Sequence, residues 1–417
     1  MSGVIKITHF IKPEMNLHGI NLNPQPDLTA LPVPEPAAQA HSARLQDRIH
    51  TEIERCGGRI GFDRYMDLAL YEPGLGYYSA GARKFGEAGD FITAPELSSL
   101  FSICLARQCQ QLLNRLQDGV ILELGAGSGR MAGDLLGALR ANDALPAQYL
   151  ILETSADLKQ RQQQLLAAEV PDYFQRISWL ERLPAQPLNG VILANEVMDA
   201  LPVRRVMERD GELMEYTVCW RDGACAWMTV PADPVLCRQS EVIKQRLRYP
   251  WPAEYITEIN LRLAPWLAGL SACLQRGAML LIDYGYPRVE YYHPERSDGT
   301  LLCHYRHRVH TDPFLYPGLQ DITASVDFTA VAEAAVAADL TVAGYTSQAY
   351  FLLANGLEEI LGSYRDAGTR AYLERANQAK RLTLPGEMGE RYKVIALTRG
   401  LSGSWSGFSL EDQRRFL

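Results

Sequence analysis

The chain has 417 residues, with 41 basic against 49 acidic side chains, a net charge of −8, 47% hydrophobic and 22% charged residues. These are the proportions of a globular protein, and the acidic balance argues against a nucleic-acid partner held through its phosphates. No apolar run has the length of a membrane span or a secretory core, and eight scattered cysteines without a C-x-x-C pair read as reduced thiols, so a cytoplasmic protein is expected.

Residues 1–42 carry six prolines and no sustained periodicity, which predicts a mobile arm. A helix pattern runs from Leu45 towards Cys56 and stops at Gly57-Gly58. Residues 61–80 are rich in aromatics and glycine, and Gly89-Asp90-Phe91-Ile92-Thr93-Ala94-Pro95-Glu96 then leads into a helix from Leu97 to about Leu116. Together 43–117 read as an N-terminal helical lobe.

From residue 120 the text alternates strand and helix. Strands are expected at 120–124, 149–153, 176–179, 190–194, 279–283, 341–347 and 392–398, and helices near 130–140, 155–168, 255–275 and 327–339. That order predicts an α/β fold with a seven-stranded, doubly wound, Rossmann-like sheet over 118–400, its ligand at the C-terminal strand ends. Two insertions interrupt it. Residues 203–250 read as β-hairpins turning at Asp210-Gly211 and Asp222-Gly223, and 285–326 as a long loop on the ligand side. A tail occupies 401–417.

The run Val120-Ile121-Leu122-Glu123-Leu124-Gly125-Ala126-Gly127-Ser128-Gly129-Arg130 is a buried strand, a glycine turn and a helix start, which bring backbone N–H groups close to a ligand. Arg130 stands where the dinucleotide fingerprint needs a small residue, and Glu123 precedes the turn. Both point away from a pyrophosphate and towards S-adenosylmethionine (SAM). Glu153 ends the second strand, where an acid can hold ribose hydroxyls; the bland alternative is a helix-capping acid. In Ala194-Asn195-Glu196-Val197-Met198-Asp199, polar residues break off an apolar strand where the methyl acceptor must arrive. If a helical turn follows, Glu196 and Asp199 share a face and could orient a guanidinium, or they could simply dress a helix N-terminus. His304, His307 and His310 lack the spacing of metal ligands on one helix face, so no metal is expected, and Tyr77 and Tyr78 are weak candidates for lining the cleft.

These blocks resemble the MidA-type SAM-dependent methyltransferases. The resemblance rests on Tyr71-Glu72-Pro73 with Gly76-Tyr77-Tyr78, on 89–96, on Leu122–Gly129, and on Ala194-Asn195-Glu196 with Asp199-Ala200-Leu201-Pro202. Ile282-Asp283-Tyr284-Gly285-Tyr286, Arg296–Leu301 and Gln320-Asp321-Ile322-Thr323 extend it, over about 45–400. It implies a class I methyltransferase fold with SAM held by Gly125, Gly127, Gly129 and Glu153, and adds the 89–96 block as a wall, with Gly89, Asp90, Thr93, Pro95 and Glu96. Glu123, Ala126, Asn195 and Glu196 complete the expected cofactor set, and Glu196 and Asp199 the catalytic pair. Mitochondrial members of the family assemble respiratory complex I and methylate protein arginine, so a protein substrate such as a complex I subunit is expected, acted on by a monomer or homodimer. The rivals are a small-molecule or other side-chain methyltransferase, a SAM-binding assembly chaperone and a nicotinamide dehydrogenase.

Overall fold

The central strands are continuous apolar runs because both of their faces are covered. A computed structural model describes residues 31–80, 92–365 and 368–417. The N-terminal part comprises α1 (Pro36–Arg55), β1 (Arg59–Gly61), α2 (Phe62–Tyr71), α3 (Ala94–Leu97) and α4 (Ser99–Leu113). The helix expected from Leu45 begins earlier: Pro36 sits in the first turn of α1, where its missing N–H costs nothing, inside the stretch expected as a mobile arm.

The core then reads β2 (Val120–Leu124), α5 (Arg130–Ala141), β3 (Tyr149–Leu152), α6 (Ala156–Glu169), β4 (Ile177–Leu180) and β5 (Leu188–Asn195). The first insertion supplies β6 (Arg204–Arg209), β7 (Glu212–Arg221), β8 (Ala224–Pro231), α7 (Pro234–Lys244) and β9 (Ile256–Ile259). After α8 (Leu263–Ala272) and β10 (Leu274–Tyr286) come α9 (Arg288–Tyr291), β11 (Leu302–Tyr305), β12 (Arg308–His310), β13 (Asp321–Thr323) and β14 (Val326–Asp327). The chain closes with α10 (Phe328–Ala337), β15 (Thr341–Ser347), α11 (Gln348–Ala354), α12 (Leu357–Ser363), α13 (Thr369–Thr383) and β16 (Tyr392–Arg399).

The seven expected strands form one sheet in the order β15-β16-β10-β5-β2-β3-β4, with β14 pairing off β10. The run from β10 to β4 is parallel, and β16 lies antiparallel between β10 and β15. Side chains alternate between two cores. Ile121, Val191, Leu193, Leu280 and Ile282 pack towards α4 and α5, while Leu122, Leu124, Ile192, Met279 and Leu281 pack towards α8 and α10.

The helix expected over 255–275 is shorter than predicted. Ile256–Ile259 form a strand against β6, since Ile256, Thr257 and Ile259 are β-branched, and only Leu263–Ala272 are helical. The long loop expected over 285–326 is also structured: β12, β11 and β13 make a three-stranded sheet. The first insertion does not stand apart from the N-terminal part, because β1 pairs antiparallel with β7, Arg59 opposite Cys219. Leu45, Phe62, Tyr65, Val218 and Ile322 share one apolar cluster, so α1, α2 and both insertions meet over the strand ends.

Candidate active site

A cleft of about 2050 Å³ opens between the C-terminal strand ends and the surfaces packed over them. At its cradle end, β2 stops at Leu124 and the chain turns through Gly125 (φ +63°) and Gly127 (φ +55°) before Gly129 (φ +86°) opens α5. These left-handed angles suit glycine and leave backbone, not side chain, on the cleft wall. Ser128 Oγ donates to the Glu96 carboxylate of α3, which ties the 92–96 segment across the turn.

Glu153 is 8% exposed and faces the same space. One oxygen accepts the Ser155 N–H at 2.8 Å and the other Gln162 Nε2 at 3.0 Å. The same Gln162 amide donates to the Gly127 carbonyl at 2.9 Å and accepts Trp179 Nε1 at 2.9 Å, so one buried side chain on α6 sets both the turn and the acid. Ser155 caps α6 by accepting the Leu158 N–H, and Glu153 takes the N–H of that capping residue. Glu123, 1% exposed, accepts the Tyr149 hydroxyl at 2.7 Å, and burial pushes its carboxyl up to about 7.

The other end is acidic and aromatic. Glu196 has φ +53°, a strained angle for a residue with a side chain, and its carboxylate accepts Tyr392 Oη at 3.1 Å and Asn195 Nδ2 at 3.2 Å. Burial pushes it up to about 7 against those hydrogen bonds. Asp199 is pushed up to about 7 by burial and by the Glu196 carboxyl. Behind them Asp283, fully buried, accepts the N–H groups of Val197, Met198 and Asp199 on one oxygen, at 3.2, 2.8 and 3.2 Å. Asp321, on β13, accepts the Tyr78 hydroxyl on both oxygens at 2.9 Å. Among the described residues no lysine or arginine forms a salt bridge with Glu196, Asp199 or Asp283.

The cleft brings together Thr93, Pro95, Glu96, Glu123, Gly125, Ala126, Gly127, Glu153, Asn195, Glu196 and Asp199. Gly129 does not line it; as the N-cap residue of α5 it packs against Gln162, and a Cβ there would lie 3.3 Å from that side chain. Gly89 and Asp90 lie outside the described residues. No helix follows Asn195, so Glu196 and Asp199 do not share a helix face; a turn brings them together instead. Tyr78 lines the cleft, while Tyr77 is buried behind it. His304 also lines it, with burial holding its imidazole down to about 4, and among the described residues no three His, Cys, Asp or Glu side chains are arranged to hold a metal ion. Sequence reasoning left out Gln162, Asp283, Asp321 and Tyr392. Asp283 carried a signal as a charge ending the apolar run Met279-Leu280-Leu281-Ile282, and both it and Asp321 stand in blocks of the family resemblance.

Comparison with known proteins shows the family. A family model described as "Putative S-adenosyl-L-methionine-dependent methyltransferase" matches residues 104–346. A Burkholderia thailandensis protein solved with S-adenosyl-homocysteine bound is 42% identical, with a TM-score of 0.88, covering 93% of this chain and 100% of that one. The Drosophila melanogaster protein named a protein arginine methyltransferase NDUFAF7 homolog, mitochondrial, is 29% identical over 406 residues, 88% of each chain. The human protein arginine methyltransferase NDUFAF7, mitochondrial, is 27% identical over 382 residues, 82% of this chain and 80% of its own. The mitochondrial names of these relatives overturn the expectation of a cytoplasmic protein. Unpaired cysteines carried that expectation, and they mark a reducing setting rather than one compartment.

Proposed function

The chain belongs to this family of S-adenosyl-L-methionine-dependent methyltransferases, and from that premise we propose that it methylates an arginine side chain of a partner protein. The observation that carries the acceptor is the half-buried carboxyl group of Glu196 beside the buried one of Asp199, with no lysine or arginine among the described residues in a salt bridge to either, in the cleft that also holds the glycine turn. The arginine activity in the names of the fly and human relatives supports the same reading.

The residues present fit SAM. Gly125, Ala126 and Gly127 offer a wall of backbone, and Glu153, held in place by the Ser155 N–H and the Gln162 amide, faces the same space as the acid for the ribose hydroxyls. Leu152, Leu158 and Leu183 supply apolar surface, and Thr93, Pro95 and Glu96 close the cradle, with Gly89 and Asp90 assigned to the same wall by the family resemblance alone. Glu123 and Asn195 support the turn and Glu196, and Gly129 sets the start of α5.

SAM supplies a methyl carbon already activated by its sulfonium sulfur, so the protein's task is positioning and electrostatics. Glu196 and Asp199 hold the guanidinium charge on the nitrogens remote from transfer and leave electron density on the attacking one. With SAM bound, the N–C bond would form as the methyl's bond to sulfur breaks and leaves a neutral thioether, and that nitrogen's proton would then pass to the carboxyl pair. Tyr392 and Asn195 keep the Glu196 carboxylate turned towards the acceptor. On the mitochondrial branch of the resemblance, the partner we infer is a subunit of respiratory complex I or one like it, and the enzyme acts as a monomer or homodimer.

Transfer of labelled methyl from SAM into an extract of cells lacking the protein tests this reading. Label should appear on arginine, and Glu196→Gln should abolish transfer while S-adenosyl-homocysteine still binds. Label on lysine or on a small metabolite would remove the arginine assignment.

A further inference from the structure

We propose that Asp283 is the positioning residue of the acceptor end: by gathering the N–H groups of Val197, Met198 and Asp199 onto one oxygen, it fixes the directions in which Glu196 and Asp199 face. This rests on the reading that those two carboxyls hold the methyl acceptor. The pattern of β10 makes the case first. Met279 and Leu281 pack into one apolar core, and strand alternation puts residue 283 on that same face, where another apolar side chain is the simple choice. A fully buried carboxylate there needs a reason.

The reason lies in the register. β10 pairs parallel with β5 as far as Ile282 opposite Asn195, so Asp283 stands one residue past the point where β5 ends. The chain leaves β5 through Glu196 at φ +53°, and three successive N–H groups then point inward with no strand or helix to receive them. Asp283 Oδ2 receives all three at 2.8–3.2 Å, and Oδ1 takes the Tyr284 N–H at 2.9 Å. Successive N–H groups around one oxygen form an anion nest. An apolar residue at 283 would leave those N–H groups buried and unpaired, and asparagine would offer one neutral oxygen with an NH₂ in place of the other, so either would loosen the strained turn.

Asp283 does not line the cleft, so it acts through its neighbours. The groups facing it and the pair it positions come from several elements: Tyr284 from β10, Tyr392 from β16, Asp321 from β13 and Tyr78 after α2. Their carboxyls crowd one another, and burial together with Asp199 and Glu196 pushes the Asp283 carboxyl upward, against the pull of its four N–H donors.

The test compares Asp283→Asn with Leu281→Ala, a core change on the same strand that lowers stability without touching the turn. Initial rates of methyl transfer into the extract described above are measured at saturating SAM from pH 5.5 to 9, alongside S-adenosyl-homocysteine affinity and thermal midpoints. Asp283→Asn should lose about 100-fold in rate, the effect of a reacting group misplaced by about an ångström. It should keep cofactor affinity within a few-fold and move the acid limb of the rate to lower pH, because a neighbouring negative charge has gone. Leu281→Ala, at a similar thermal midpoint, should keep most of its rate and an unmoved limb. Equal rates in the two variants, with no movement of the limb, would overturn the proposal. If wild-type label lands on an acceptor other than arginine, the arginine reading falls, and the same comparison of rates still decides the role of Asp283.

Discussion

The Tyr392 hydroxyl on β16 donates to the Glu196 carboxylate at the end of β5, at 3.1 Å, across the intervening strand β10. The last strand of the sheet thus reaches into a site begun by its fourth expected one. Because β16 runs antiparallel, its start, not its end, lies at the strand edge where the cleft opens.

Tyr392→Phe removes a hydrogen bond that holds the Glu196 carboxyl down, so that carboxyl should rise above about 7. The acid limb of methyl transfer should move to higher pH, with the rate near pH 6.5 falling more than the rate near pH 9. A pH–rate profile checks this. A uniform loss at all pH values would mean that Tyr392 serves packing only.

Gln162→Ala breaks the link between Glu153 and the Gly127 carbonyl without removing any side chain from the cleft wall. S-adenosyl-homocysteine affinity should fall about tenfold, the worth of a single hydrogen bond. Titration calorimetry on the purified protein measures it, and an unchanged affinity would confine Gln162 to holding α6 in place.

Glu123 gives a pH dependence of stability. Its folded carboxyl sits at about 7 against an ordinary 4.5, so the folded state holds this proton more tightly than the unfolded chain does. The contribution is fully present below about pH 4.5 and is lost as pH rises through about 7. Glu123→Gln keeps an oxygen for the Tyr149 hydroxyl but cannot titrate. Its thermal midpoint should therefore fall less between pH 5 and pH 8 than that of the wild type. Parallel curves would contradict the assignment.

Gly285→Ala tests the anchoring of the second insertion. A Cβ at 285 would run into the backbone oxygen of Val326 and come within 2.7 Å of its nitrogen, where β14 pairs with β10. Neither strand can yield without losing that pairing, so the substitution should cost about 1–3 kcal/mol. Urea unfolding gives the stability. Methyl transfer should fall as well, since β13 and Asp321 follow the same anchor.

The amino-acid sequence by itself determined the sheet and the cradle. Val120–Leu124 is apolar but for Glu123 because both faces of a central strand are covered, and glycines at 125 and 127 are needed where the backbone turns left-handed against the ligand space. Such features are local, so a short window of text carries them, as it carries the acid ending β3 and the break from apolar to polar at Asn195 and Glu196. The tertiary structure alone decided the rest. Gln162 reads as one more glutamine in a polar helix until α6 lays it between Glu153 and Gly127. Tyr392 and Asp321 reach the acceptor end from 196 and 125 residues after Glu196, through pairings no local pattern encodes. Whether a helical turn follows Glu196 is open in the sequence; the structure has none, and Asp283, 84 residues beyond Asp199, receives the three N–H groups there.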